Sequence, residues 1–369
     1  VKKTIPQIKI HTFTLEKRYT SFLHLSRNKI MPMKKQHFFL LCLLVQWSFG
    51  QTTNTTTKSN SIFNDFYPIA VKPSLGYLSN LNAEEDILLD AKPTVYYSVV
   101  NNIIENMQSE ENKAGNAFYM SFQPHIRMYA ENSKPVKMPS YRVLFGWQHM
   151  IKTKSNNFFT WAIESGHYSN GQSGCAFLSG EDDESMACMD SHAMITDQSN
   201  LSQLLNRANG NFSTNTTKLS LNFRFNELNT ANEPYKIHSF TTSYELYHNR
   251  FFGVFKVGGY TDFDISIYGR HRFGLGYEYV HQWKPKLRYS LEQKFELIQG
   301  AHPFVEPLRS ETTFTIYPFN RNIGFFGTYV YGHDNYNLRF VDSGHQIGFG
   351  ISWDLFQPFQ ITRAKTTDL

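Results

Sequence analysis

His167 and Ser169 stand two residues apart in the run Glu164-Ser-Gly-His-Tyr-Ser-Asn-Gly-Gln172. A serine hydroxyl becomes a nucleophile when a neighbouring base takes its proton, and histidine can serve as that base. The pair closes a stretch that alternates. Phe159, Trp161, Ile163, Ser165, His167 and Ser169 share one parity, hence one face of a β-strand. The first three suit lipid, and the last two can come within hydrogen-bond reach. A substrate for a base and hydroxyl on such a face would be a lipid.

The same parity pattern recurs in the elements that must carry this pair. Thr217, Leu219, Leu221, Phe223 and Phe225 alternate with Lys218, Ser220, Asn222 and Arg224. Leu287, Tyr289, Leu291, Phe295 and Leu297 alternate with Arg288, Ser290, Glu292, Lys294 and Glu296. Ile347, Phe349, Ile351, Trp353 and Leu355 alternate with Gln346, Gly348, Gly350, Ser352 and Asp354. About twelve such segments are expected, near 67–79, 93–105, 116–130, 140–153, 157–170, 213–226, 236–248, 263–281, 286–298, 304–318, 323–337 and 344–356. Alternation alone also fits a soluble sandwich. Strand length, aromatic content and the N-terminal segment described next favour an all-β, transmembrane, antiparallel up-and-down barrel with a polar interior. No helical span is expected.

Aromatic residues make up 16% of the chain, yet its mean hydropathy is −0.42. A helical membrane bundle would not be hydrophilic, whereas a barrel meets lipid only at alternate residues. Met31-Pro-Met-Lys-Lys35 and then His37-Phe-Phe-Leu-Leu-Cys-Leu-Leu-Val45 read as the charged and apolar parts of a secretory signal. The expected organisation is an upstream extension at 1–30, a signal segment at 31–50, a flexible leader at 51–65, a barrel at 66–357 and a C-terminal extension at 358–369. The net charge of +5 includes basic residues ahead of the barrel, so no nucleic-acid partner is expected. Cys175 and Cys188, the cysteines beyond the signal, should pair in a secreted chain. Their bridge would contribute about 3 kcal/mol in the chain-entropy estimate. They lie in the longest loop, about 172–212, with the acidic run Glu181-Asp-Asp-Glu184, whose oxygens would suit calcium but which reads more simply as a solvated loop tip. Loops of that length are commonly functional.

His167-x-Ser169-Asn170-Gly171 at the end of a mid-chain strand resembles the outer-membrane phospholipase A family. So does Asn215, which opens the following strand with the parity of Leu219 and Leu221. Asn206 has the opposite parity and is set aside. Gly348-Phe-Gly-Ile-Ser-Trp-Asp-Leu-Phe356 is similar to that family's closing strand, and Tyr329-Val-Tyr-Gly-His333 to the strand before it. The resemblance covers about residues 140–356. The chain departs from the family at Gln172, where a basic residue is usual, in its longer loop, and in the residues after Phe356.

The resemblance implies a calcium-dependent phospholipase (phosphatidylcholine 1-acylhydrolase) in the bacterial outer membrane, dimeric when active. Ser169 would be the nucleophile, His167 the base and Asn215 the group that orients the base. A neutral third member suits a membrane face, where an isolated carboxylate is costly. Gly171 N–H would be the oxyanion donor. Offset from Asn215 puts a Ca²⁺ side-chain ligand at Asn211, with Ser213 and Ser173 as further candidates. Gln148 falls where the family has a dimer-contact glutamine. The α/β-hydrolase alternative fails, because its elbow needs Gly-x-Ser-x-Gly and this segment reads Gly166-His-Tyr-Ser-Asn-Gly171. Two other readings stay open: a passive porin or channel, and an adhesive or structural barrel that binds a partner through the 172–212 loop.

Overall fold

The computed structural model describes residues 66–80, 87–109, 114–130, 135–153, 157–230, 234–251, 255, 259–319 and 322–354. The expected extension, signal, leader and C-terminal tail lie outside them.

The strands are β1 (Ser74–Asn80), β2 (Ile87–Lys92), β3 (Val95–Asn101), β4 (Ala114–Tyr129), β5 (Ser140–Lys152), β6 (Phe158–Ser169) and β7 (Ser213–Leu228). They continue with β8 (Pro234–His248), β9 (Gly269–Lys284), β10 (Leu287–Ala301), β11 (Leu308–Pro318), β12 (Ile323–His333) and β13 (Ser343–Trp353). Each pairs antiparallel with its sequence neighbour from β3 to β13. β1 closes on β13, and β2 joins β1 to β4. β2 and β3 share one position in the ring, since Ala91↔Ile126 and Val95↔Phe122 follow one register along β4. Pro93, between them, has no N–H to continue the ladder. The result is a closed antiparallel barrel of twelve strand positions.

Its faces are inverted relative to a soluble protein. Phe118, Trp147, Ile163, Leu219, Phe223 and Phe295 are exposed on the outside. Charged side chains fill the inside. Arg127 donates from Nη1 and Nη2 to Asp334 at 2.6 and 2.9 Å and from Nε to Asp90 at 2.8 Å. Arg142 meets Glu245 at 3.0 Å, and Arg288 meets Asp354 at 2.9 Å. Only lipid makes an apolar outside and an ion-paired inside favourable together, so the barrel spans a membrane.

A cluster of aromatic side chains lies toward each end of the interior. At the end where β6 finishes, Tyr168, Phe177, Phe212, Tyr268 and Phe340 pack in one cluster. At the other end Phe66, Tyr67, Tyr96, Tyr119, Met150 and Phe158 pack in another. A cavity of about 520 Å³ lies between charged walls that include Lys72, Arg224, Glu278 and Asp354.

Several expectations change: β2 is not among the expected strands, and the strands expected at 93–105 and 323–337 end at Asn101 and His333. Residues 67–73 are not a strand, although Tyr67, Ile69 and Val71 alternate. Tyr67 stacks on Tyr96 inside the barrel with its ring 4.8 Å away. Short helices do occur: α1 (Ile103–Gln108), α2 (Met186–Ala193), α3 (Leu201–Leu204) and α4 (Asp262–Tyr268). α4 replaces the start of the strand expected at 263–281; Thr261 and Asp264 form a capping box that starts a helix there. None of these helices is long and apolar enough to cross a membrane. Finally, Gln148 faces inward rather than toward a second subunit. It is fully buried, its Nε2 donates to Ile69 O at 2.6 Å, and its Oε1 accepts from Ile69 N at 3.0 Å.

Candidate active site

β6 and β7 pair so that His167 stands opposite Asn215 and Ser169 opposite Ser213. The register follows from the alternation, because a one-residue slip would turn Trp161, Ile163, Leu219 and Leu221 toward the charged interior. Gly166 lets β5 and β6 lie close beside the site. A Cβ there would come 2.0 Å from Val143 O.

Ile163 on the same face is 42% exposed. Further toward the rim, His167 Nδ1 lies 3.0 Å from Asn215 Oδ1. A carboxamide oxygen only accepts, so Nδ1 carries the proton and Nε2 is left as the base. Asn215 is fully buried although its parity is outward. Ser169 ends β6 on the outward face, one step along the strand from His167. No hydrogen bond among the described residues joins Ser169 to His167. Such contacts are often long before substrate binds.

Asn170, the fourth residue of the motif, is a fastener. Its Nδ2 donates to Gly210 O at 2.7 Å, and its Oδ1 accepts from Phe212 N at 3.0 Å and Gln172 N at 3.2 Å. This ties the end of β6 to the start of β7. Gly171 follows with φ +65°, a left-handed conformation that glycine adopts without a Cβ penalty. Its N–H has no hydrogen-bond partner among the described residues, so it can serve a developing anion.

The three residues proposed as cation ligands lie along the neck of the long loop. Asn211 N donates to Gly174 O at 2.7 Å, next to Ser173, and Ser213 begins β7 opposite Ser169. The acidic run, which the sequence offers as a source of calcium oxygens but more simply as a solvated loop tip, contributes a neighbour in Asp183. Asp183 N donates to Ser173 O at 2.9 Å, and Asp183 Oδ2 accepts from Asn211 Nδ2 at 2.9 Å. Asp183 also acts at a distance. Burial lifts the Asp264 carboxyl to about 6, hydrogen bonds from Thr261 oppose that, and the Asp183 charge adds to it. Burial pushes the His192 imidazole down, and the same charge pulls it back up.

Cys175 and Cys188 form a disulfide that ties α2 to the neck. His192 of α2 stacks on Phe263 with ring centres 3.7 Å apart. Asn206, set aside on parity, is a buried fastener of this loop. It donates to Cys175 O and Asn209 Oδ1, each at 2.9 Å, and accepts from Ala208 N and Asn209 N.

Sequence reasoning also missed a second polar row beside the pair. Ser165 Oγ lies 2.9 Å from Thr217 Oγ1, and Thr217 Oγ1 lies 2.9 Å from His248 Nε2. The available signal was parity. Ser165 lies two residues from His167 and Thr217 two from Asn215, while His248 ends its own strand.

No family model matches the chain, and no curated protein matches it. Among solved structures it is similar to the calcium-bound dimer of outer membrane phospholipase from Salmonella typhi. That match has 11% identity and a TM-score of 0.47, covering 82% of this chain and 96% of the other. Outer membrane phospholipase A from Escherichia coli matches at 10% identity and a TM-score of 0.46, covering 80% and 96%. The outer membrane channel DcaP of Acinetobacter baumannii matches at 10% identity and a TM-score of 0.33, covering 77% and 94%. An enzyme and a channel stand side by side at this level, so nothing about chemistry follows from these likenesses.

Proposed function

We propose that this chain is a phospholipase of the bacterial outer membrane that hydrolyses acyl esters with Ser169, His167 and Asn215 on the lipid-facing side of the barrel. The observation that carries this reading is the 3.0 Å contact between His167 Nδ1 and Asn215 Oδ1, on the face that also holds Ser169.

The chemistry follows from the tautomer. His167 Nε2 takes the Ser169 proton as Oγ attacks the acyl carbonyl, and the imidazolium returns it to the departing alkoxide. Asn215 Oδ1 holds the Nδ1 proton throughout, which keeps Nε2 aimed at the hydroxyl. The Gly171 N–H faces the charge that develops on the carbonyl oxygen. Water then attacks the acyl-serine with His167 again as base. This releases the fatty acid and restores the hydroxyl.

Ser173, Asn211, Ser213 and Asp183 present oxygen donors, which is the chemistry a hard cation such as Ca²⁺ requires. When bound, Ca²⁺ would supply positive charge close to the developing oxyanion. A homodimer, as the family resemblance implies, would make activity depend on protein concentration.

A passive pore is a weaker reading, since aromatic clusters narrow the interior toward each end and it does not account for the His167–Asn215 contact. A free adhesive loop is also weaker, because Phe177, Leu201 and Leu205 pack into the barrel's own end cluster.

The test is labelling by a sulfonyl fluoride in detergent, with peptide mapping. Labelling should fall on Ser169, require His167 and increase with Ca²⁺. Labelling of another serine, or none under any condition, overturns the reading.

A further inference from the structure

Two rungs cross from β6 to β7 on the lipid-facing side. The first is His167–Asn215. The second lies two residues further from the rim, where Ser165 Oγ and Thr217 Oγ1 are 2.9 Å apart. β8 adds a third member. His248 is the register partner of Asn215, but its ring reaches to Thr217, with Nε2 2.9 Å from Oγ1.

The proton positions in this row are fixed from its ends. Arg250 N can only donate, and it lies 3.2 Å from His248 Nδ1. Nδ1 therefore accepts, which puts the imidazole proton on Nε2. Nε2–H donates to Thr217 Oγ1, and Thr217 O–H donates to Ser165 Oγ. Ser165 O–H ends the row on Thr216 O at 3.1 Å. Every donor has an acceptor in a single direction, and reversal would set Nδ1–H against Arg250 N–H. His248 is thus a neutral Nε2–H tautomer, the opposite of His167. The charged groups beside it are Arg250, two residues on, and Arg270 at the start of β9, whose charge acts on its ring. On β9, His271 is held separately by Tyr244 Oη at 2.8 Å.

Hydroxyls facing lipid find few partners outside the protein, so a closed row is the low-energy arrangement. It also sets the spacing of the two strands that carry the reacting groups. Ser165 lies two residues from His167, Thr217 two from Asn215, and His248 stands opposite Asn215 on its other side.

We propose that Ser165, Thr217 and His248 are positioning residues for the His167–Asn215 pair, with His248 as the neutral donor that terminates the row. This rests on the acyl-hydrolase reading above. Protonation of His248 would give it a second N–H facing a backbone donor and break the row. Activity should then fall further on acidification in wild type than in a variant that cannot be protonated at this position.

The experiment compares wild type, Thr217→Val and His248→Gln as folded protein in detergent, measuring fatty-acid release against pH. Valine keeps the shape of threonine and removes the hydroxyl; glutamine keeps a neutral donor. Thr217→Val should lower kcat about ten- to hundredfold with little change in KM, the size expected when reacting groups are misplaced by about an ångström. His248→Gln should retain most activity at pH 8 and lose less of it on acidification than wild type. Equal kcat in Thr217→Val, or equal acid losses in His248→Gln and wild type, overturns the positioning role. Nitrogen-15 spectra of histidine-labelled protein read the tautomers without any turnover. Nε2–H on His248 and Nδ1–H on His167 are expected, and Nδ1–H on neutral His248 overturns the row. If wild type neither releases fatty acid nor labels at Ser169, the acyl-hydrolase reading fails, and with it the positioning role. The His248 tautomer would still be decided by the spectra.

Discussion

Replacing Asn215 with alanine removes its hydrogen bond to His167, and the structure sets the size of the loss. In the resting protein the bond from His167 Nδ1 to Asn215 Oδ1, at 3.0 Å, is neutral. When His167 takes the serine proton the ring becomes an imidazolium and the same bond becomes charge-assisted. Hydrogen bonds to charged groups contribute about 1.5–3 kcal/mol. Only the gain over the neutral bond, about 1–1.5 kcal/mol, enters the barrier, and each 1.36 kcal/mol changes a rate tenfold, so Asn215→Ala should lower kcat by about 5- to 13-fold. KM should change little, since Asn215 is fully buried. Loss of Ser169 removes the nucleophile, so the Asn215 variant should retain clearly more activity than Ser169→Ala. The assay is initial-rate release of fatty acid from mixed micelles, at matched amounts of folded barrel. Activity within twofold of wild type would refute the orienting role. A loss as complete as that of Ser169→Ala would show that Asn215 does more than orient.

Asn206→Ala strands the Cys175 carbonyl and two backbone N–H groups, which should cost about 1–3 kcal/mol locally. Faster proteolysis within 172–212, with the barrel intact, is the expected sign, and unchanged cleavage would count against the fastener role. Changing Cys175 and Cys188 to serine opens a bridge with a sequence separation of 13. Loop stability should fall by about 3 kcal/mol, read as earlier loop exchange in hydrogen–deuterium measurements. Arg127→Met leaves Asp90 and Asp334 buried without their shared cation. It should destabilise the barrel by about 3–5 kcal/mol, read as a lower urea midpoint, and Asp334→Asn added to it should recover part of the loss.

The barrel was legible because its two environments are so unlike. Leu219, Leu221 and Phe223 meet lipid while Lys218 and Arg224 meet an ion-paired interior, and that contrast prints a period of two on the chain. The same signal misled at 67–73, where alternation reflects a two-sided environment inside the barrel rather than a strand. It misled again at Phe263, Ile265 and Ile267, although Thr261 and Asp264 carried a readable helix start. α2 and α3 begin at Ser185 and Asn200, whose side chains cap them. With only 8 and 4 residues, neither helix is long enough to show a period. The His167–Asn215 pairing was legible from parity and motif order. The Thr217–His248 contact was not, since it crosses to β8 on a diagonal that no single-strand pattern encodes. The acidic run was visible as a source of oxygens, but the Asp183–Asn211 contact was not, because only the folded neck brings the two together.

The most direct test of the account is fatty-acid release from phospholipid micelles by purified wild type and Ser169→Ala, each shown to be folded by its heat-modifiable gel mobility. The account predicts release by wild type that rises with added Ca²⁺, and none above background from Ser169→Ala. Equal release by both proteins, or none from folded wild type with Ca²⁺ present, would contradict it.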